Sequence, residues 1–265
     1  MILAKFTTIR LAAMLLGIIL AVPVIRASAE DEQGASKPFT LQGGVEHSEK
    51  LPPVEKKFRH GARIDASKVQ TQNQHNRWFR VPDWAAGTWT SVESTKTYVR
   101  DLKNNREQTA PVTRHTKMEF SWGFQRDKEG RVWEFAKEPY SLTVDSADFR
   151  VIKRVMQRDF LESDDSKVVL KTITENVVVD RFSNQVVRTV QSENIQICQP
   201  SPNQCMTCSA SYKLFDEQGK PIELGNETNV SRKIAAFKNI DEYEGKNMSE
   251  LFKEFIASQA KTSLP

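Results

Sequence analysis

Residues 113–135 read TRHTKMEFSWGFQRDKEGRVWEF. Met118, Phe120, Trp122 and Phe124 fall on alternate positions, and His115, Lys117, Glu119 and Ser121 occupy positions between them. Successive side chains of a strand point to opposite faces, so this spacing predicts a strand with one apolar and one polar face. Asp127-Lys128-Glu129-Gly130 carries turn chemistry, and residues 131–135 read as the partner strand coming back.

The pattern continues on both sides. Residues 87–95, 97–102, 167–181, 185–198, 205–215 and 229–237 are alternating runs separated by turn residues. Residues 149–160 (FRVIKRVMQRDF) place Phe149, Ile152, Met156 and Phe160 on one helical face, yet the β-branched Val151, Ile152 and Val155 favour a strand. Such spacing predicts a mainly β chain, an antiparallel up-and-down meander folded as a sandwich or barrel over residues 77–265. A different element closes it. Asn247 is placed to cap a helix with Glu250 as its capping-box partner, and Met248, Leu251, Phe252, Phe255, Ile256 and Ala260 follow at helical spacing. This predicts an amphipathic α-helix over residues 248–261 whose stripe covers the outside of the sheet.

The chain starts with Lys5 and Arg10, then an apolar run over residues 11–25, then the small residues Ala27-Ser28-Ala29. This is the pattern of a cleaved signal peptide, residues 1–29, and it predicts a secreted or periplasmic protein. The run is shorter than the roughly 20 residues a membrane-spanning helix needs. Of the 38 basic residues, Lys5, Arg10 and Arg26 leave with the peptide, so 35 remain against 34 acidic ones. That balance points away from a nucleic-acid partner. Residues 30–76 are polar, with Gly43-Gly44, Pro52-Pro53 and the tract QTQNQHN. They read as a linker or loosely ordered arm; an arm lying on the domain, anchored by Phe39, Leu41, Val45 and Leu51, is the other reading.

All three cysteines stand in CQPSPNQCMTC, residues 198–208. With residues 200–203 as a four-residue loop, Cys198 faces Cys205. Gln196, Asn194 and Ser192 then face Thr207, Ser209 and Ser211 on a polar side. Ile197, Ile195, Glu193 and Gln191 face Met206, Cys208, Ala210 and Tyr212 on the other. The expectation is a Cys198–Cys205 disulfide and a buried free thiol at Cys208. Residues three apart on a strand point to opposite faces, which argues against a redox pair at Cys205-Met206-Thr207-Cys208. A three-cysteine metal site is the remaining alternative.

Gly87-Thr88-Trp89, the meander and the terminal helix together resemble the lipocalin or calycin group of β-barrels. The resemblance implies that Trp89 plugs one end of a calycin-like barrel. It also implies a basic residue of the last strand over the indole, for which Arg232 is the candidate.

Catalytic signatures are missing. His47, His60 and His75 lie in the polar arm, and His115 lies on the polar face of its strand. No H-E-x-x-H, G-x-S-x-G, P-loop or G-x-G-x-x-G occurs, and Asp164-Asp165 reads as a turn. No metal, cofactor or enzymatic activity is therefore expected. The functional expectation is a soluble barrel binding a small, largely apolar ligand, with Phe120, Trp122, Gln191, Glu193 and Tyr212 lining the cavity. The alternative is a structural or partner-binding protein of the cell envelope with a filled barrel and no ligand.

Overall fold

The computed structural model describes residues 46–64, 69 and 74–262; the expected signal peptide lies outside them. The strands are β1 (His75–Val81), β2 (Gly87–Asp101), β3 (Arg106–Gln108), β4 (Val112–Trp122), β5 (Gln125–Arg126), β6 (Val132–Glu138) and β7 (Tyr140–Asp145). They continue with β8 (Phe149–Ser163), β9 (Val168–Asp180), β10 (Val186–Ser201), β11 (Cys205–Phe215), β12 (Pro221–Ala235), β13 (Glu242–Tyr243) and β14 (Lys246–Asn247). The helix α1 (Met248–Thr262) ends the described chain. Residues 149–160 are a strand, as their β-branched content favours. Residues 87–101 form one long strand, which absorbs register shifts, rather than two.

Strands β7 to β12 are an antiparallel meander, each paired with the next. The long strand β2 then pairs with β12, and β3 and β4 pair with β2. The ladder ends at β4 on one side and β7 on the other, and no pairing joins them among the described residues. Those two strands are close in sequence, and the chain between them explains the gap. It leaves the large sheet through β5 and β6, which pair with β1 in a separate three-stranded sheet.

This corrects the expected hairpin of residues 113–135. Strand β4 pairs with β2, Phe120 opposite Trp89, while only Gln125 and Arg126 pair with β6. Gly123 makes the break. Its φ is 97°, and a Cβ there would lie 2.6 Å from Val132 Cγ1. Only glycine fits both the left-handed backbone and the close approach.

The large sheet curls. Trp122 of β4 and Phe160 of β8, near its two ends, meet with ring centroids 6.2 Å apart. Around them one apolar plug gathers Trp89, Phe120, Val168, Cys198, Met206 and Cys208, all buried. Trp89 donates its indole N–H to Ala85 O at 2.8 Å. The cation over its ring is Lys233, 4.9 Å from the centroid, and its Nζ also donates to Trp84 O at 2.7 Å and Ala86 O at 2.9 Å. Arg232, the expected partner, is exposed. Alternation sends it to the face away from Trp89, one position from the residue that packs there.

The cysteine pairing also differs. Cys198 is bonded to Cys208, directly opposite it with 4.0 Å between Cα atoms, and Cys205 is the free thiol. Asn203 and Gln204 both take left-handed backbone, φ 60° and 56°, and Cys205 N–H donates to Pro202 O at 3.2 Å. Two consecutive positive φ values are the pattern of a mirror-image hairpin turn. The reversal is therefore tighter than a four-residue loop, and Ser201, not Cys198, faces Cys205.

Helix α1 begins where expected: Asn247 Oδ1 accepts Glu250 N–H at 3.1 Å. Its stripe covers the small sheet instead of the large one. Trp78 lies 4.9 Å from Phe252, Trp133 lies 5.2 Å from Phe255, and Met248 is buried with Phe124 and Phe135.

Two outcomes follow. Peptide mapping of oxidised protein should recover a Cys198–Cys208 bridge and one titratable thiol at Cys205, and losing the bridge should cost about 2–3 kcal/mol. Phe252→Ala should destabilise by about 3–5 kcal/mol in denaturant unfolding. The half-buried Phe255 should cost less when truncated.

Candidate functional site

The two faces of the large sheet are read off the alternation that starts at Cys198. Rows of paired residues run across strands β8, β9 and β10 on the concave side. Moving away from the plug, Phe160, Leu170 and Gln196 form one row, then Arg158, Thr172 and Asn194, then Val155, Thr174 and Ser192. Lys153 and Asn176 follow, and Val151 beside Val178 ends the series. Beyond the plug this interior mixes the buried apolar Val155 and Leu170 with buried polar side chains: Arg158, Thr172, Thr174, Ser192, Asn194 and Gln196. Burial lowers the pKa of Lys153 to about 8.

The interior has little room. A cavity of about 20 Å³ sits between plug and polar rows, lined in part by Phe120, Trp122, Tyr140, Arg158 and Thr172. Such a space holds roughly one water. Arg158, which lines it, donates from Nη1 to Glu134 Oε1 at 3.1 Å, and Glu134 Oε2 accepts Gly123 N–H at 2.7 Å. Burial pushes the Glu134 carboxyl up, and the Arg158 guanidinium pulls it part of the way back.

The five residues expected in one cavity do not meet there. Phe120 and Trp122 line the small cavity, and Tyr212 is buried on the concave face, its hydroxyl donating to Glu223 Oε1 at 3.0 Å. Glu193 and Gln191 point the other way. The observed hairpin register places Glu193 opposite Lys213, and Tyr212 opposite Asn194. A register that differs by an odd number of residues reverses the face of every partner.

Glu193 instead receives the N-terminal arm on the convex face. His47 Nδ1 donates to its Oε2 at 2.9 Å, as does Ser48 N–H at 2.8 Å. Ser48 Oγ and Lys171 Nζ donate to Oε1 at 2.8 and 2.7 Å. Burial raises the carboxyl, but these donors outweigh it and hold its pKa below the ordinary carboxylate range. Gln191 Nε2 donates to Pro52 O at 3.1 Å and Asp216 O at 3.2 Å. Val54, Phe58 and Ile64 then pack on Ile152, Val177, Val179 and Val186. The part of the arm over residues 46–64 is thus an ordered strap on the sheet. Of its expected anchors Leu51 is buried, while Phe39, Leu41 and Val45 lie outside the described residues.

Apolar side chains stand exposed at the end of the sheet remote from the plug. Val144 and Phe149 flank the β7–β8 turn, and Phe182 and Val187 flank the β9–β10 turn, with Phe182 82% exposed. The two turns are tied together: Arg181 N–H donates to Asp148 O at 3.0 Å, and its Nη1 to Ser146 O at 2.6 Å. The strap joins them, Val186 N–H donating to Ala62 O at 2.8 Å and Ile64 N–H to Asn184 O at 2.9 Å. Sequence reasoning passed over Phe182, although an aromatic between Asp180 and Ser183-Asn184, all turn formers, is a visible signal.

Among the described residues no group of three His, Cys, Asp or Glu side chains is placed to hold a metal ion, and no helix is long and apolar enough to cross a membrane. Comparison with protein-family models, with curated proteins and with solved structures finds no match.

Glu193→Gln should leave the sheet folded and loosen the strap, at about 1–3 kcal/mol for the misfitted hydrogen bonds. Hydrogen exchange over residues 46–58 should speed up while the β9–β11 amides stay protected. Because the folded-state pKa is depressed, the carboxylate's contribution is complete above the ordinary carboxylate range and falls away as pH drops through and below it. The same strap amides should therefore lose protection in acid before the sheet does.

Proposed function

We propose that this chain is an exported protein of the cell envelope that acts through its surface and carries no small molecule in its interior. The observation that carries this reading is the size of the cavity beside the plug. It measures about 20 Å³, whereas pockets for small ligands run to about 300–1,000 Å³. It is lined by Phe120 and Trp122 of the plug, by Val155 and Leu170, and by Arg158, whose guanidinium is held by Glu134. Of the eight large apolar side chains exposed among the described residues, Val144, Phe149, Phe182 and Val187 stand at the tips of the β7–β8 and β9–β10 hairpins, while Leu102, Val112, Leu161 and Ile234 are scattered elsewhere. Exposed apolar groups held in one place mark contact surfaces.

Export is supported by the basic start, the apolar run and Ala27-Ser28-Ala29. A calycin-like architecture is supported by Gly87-Thr88-Trp89 opening β2, by Lys233 over the Trp89 ring and by the curl that brings Trp122 to Phe160. In this reading the curl stays unclosed, and the small sheet with its helix occupies the place of the missing pairing. No catalytic step is assigned.

Native mass spectrometry of protein purified from its own source decides between this and a ligand carrier. The expected mass is that of the polypeptide alone, with one disulfide. A retained organic molecule, lost when the plug is opened by Trp122→Ala, would overturn the surface reading.

A further inference from the structure

We propose that the tip formed by the β7–β8 and β9–β10 turns docks onto a lipid surface with anionic headgroups, Phe182 entering the interfacial layer and a headgroup phosphate occupying the pocket beside it. The proposal rests on the surface reading above and gives the surface its partner.

The turn chemistry shows that Phe182 is not there for the fold. Asp101, Asp127, Asp164, Asp180 and Asp216 each open a turn, their carboxylates accepting backbone N–H groups two to four residues on. Two residues after these aspartates stand Lys103, Glu129, Ser166, Phe182 and Gln218. The same device works with a polar residue at every other position, so the aromatic in the β9–β10 turn answers no local demand. The turn also holds it still. Asp180 Oδ1 accepts Phe182 N–H at 3.1 Å and Ser183 N–H at 2.7 Å, and Asn184 takes left-handed backbone, φ 55°.

A pocket of about 300 Å³ opens beside it, lined by Arg63, Ile64, Ser183 and Asn184. The Arg63 guanidinium and the Asn184 amide offer donors to the oxygens of a phosphate there, while the Ser183 hydroxyl is spent on Asp180 Oδ1 at 2.8 Å. The charge at the tip agrees. Among the described residues, Arg63, Arg150, Arg181, Arg188, Asp145, Asp148 and Asp180 lie in or beside these turns and the strap that joins them. Asp145 is taken by the fork of Arg150, at 2.6 and 2.9 Å, and Asp180 by its own turn. Arg63 and Arg188 are exposed and make no ion pair among the described residues.

Size separates a lipid from a protein partner. The patch is four apolar residues, while a stable protein interface engages about 20–30 residues a side. An aromatic that inserts while neighbouring cations meet anionic headgroups needs no more than this tip supplies.

The test is co-sedimentation of the purified protein with vesicles of phosphatidylcholine alone and of phosphatidylcholine mixed with phosphatidylglycerol. Binding is expected to the mixed vesicles only, to weaken with rising salt, and to survive inorganic phosphate at concentrations that leave the salt effect small. Phe182→Ser should cut the bound fraction about tenfold with the unfolding midpoint unchanged, since its side chain packs on little. Arg63→Gln with Arg188→Gln should flatten the salt dependence. Absence of binding to the mixed vesicles, or full binding by a folded Phe182→Ser variant, would overturn the proposal. If native mass spectrometry meanwhile finds no ligand, the surface reading stands and the lipid alone is rejected. Removal of binding by inorganic phosphate would identify a free-anion site and also reject the lipid.

Discussion

The register of the β10–β11 hairpin is the constraint on which the two faces of the large sheet depend. It is set by two residues in left-handed backbone, Asn203 and Gln204, and locked by the bond between Cys198 and Cys208. From that pairing, Gln196, Asn194 and Ser192 turn toward the concave side while Ile195, Glu193 and Gln191 turn toward the convex side. A shift by one residue would exchange the two sets. Glu193 would then lie inside the curl, beyond the reach of His47 and Ser48, and the strap would lose its buried anchor. The disulfide thus does more than restrict the unfolded chain: it sits inside the plug, so the packing around Trp89 and Trp122 and the register hold each other in place.

The seam between the two sheets is apolar where Val81 and Val132 join the plug and Phe79 stacks on Phe160, and ionic beside that. Arg158 of β8 meets Glu134 of β6, and Arg77 of β1 meets Asp159 of β8 at 2.7 Å as well as Glu138 of β6. On the convex face, Arg154 joins Glu175 and the strap's Glu55. Burying such pairs adds little net stability, because desolvation offsets most of the attraction, yet removing one partner leaves a charge stranded and costs several kcal/mol. Their effect is therefore selective. Apolar contacts alone would tolerate the small sheet sliding over β8, whereas Arg158 is hydrogen-bonded to one carboxylate and Arg77 to two.

How much of this was legible follows from what alternation can and cannot encode. The strand content, the turns at Asp127 and Asp164 and the capped helix are all local, and all were readable, whereas the plug role of Trp89 came only from the resemblance to calycins. Register is not local. Ser192, Asn194 and Gln196 make one side of β10 polar, so either pairing with β11 looks acceptable on hydrophobicity alone. Only the interior's own polarity, which places Asn194 and Gln196 beside Thr172 and Leu170, resolves it. The same limit explains Arg232. Two basic residues stand side by side, Arg232 and Lys233, and which one lies over the indole depends on the pairing of Lys233 with Trp89. The strap was hidden for another reason. His47, Ser48, Leu51, Val54 and Phe58 are spaced for contacts made one at a time across several strands, which leaves no period in the sequence.

Covering a sheet decides what remains for recognition. The concave face is filled at one end by the plug and lined beyond it by buried polar side chains, the convex face carries the strap, and the small sheet carries α1. Among the described residues each of these surfaces carries a cover of its own. What stays uncovered are hairpin ends, where turn chemistry demands polar residues and the chain supplies them at most turns. A phenylalanine held in the open on such a turn is costly, since an exposed aromatic gains nothing from folding and favours aggregation. The strap adds to the point: it ties its own backbone to Val186 and Asn184 beside that phenylalanine, so the convex latch at Glu193 and the exposed tip belong to one chain segment. Loosening the latch would therefore weaken the support of the tip, and the buried carboxylate, remote from any surface, would govern how firmly the tip is presented.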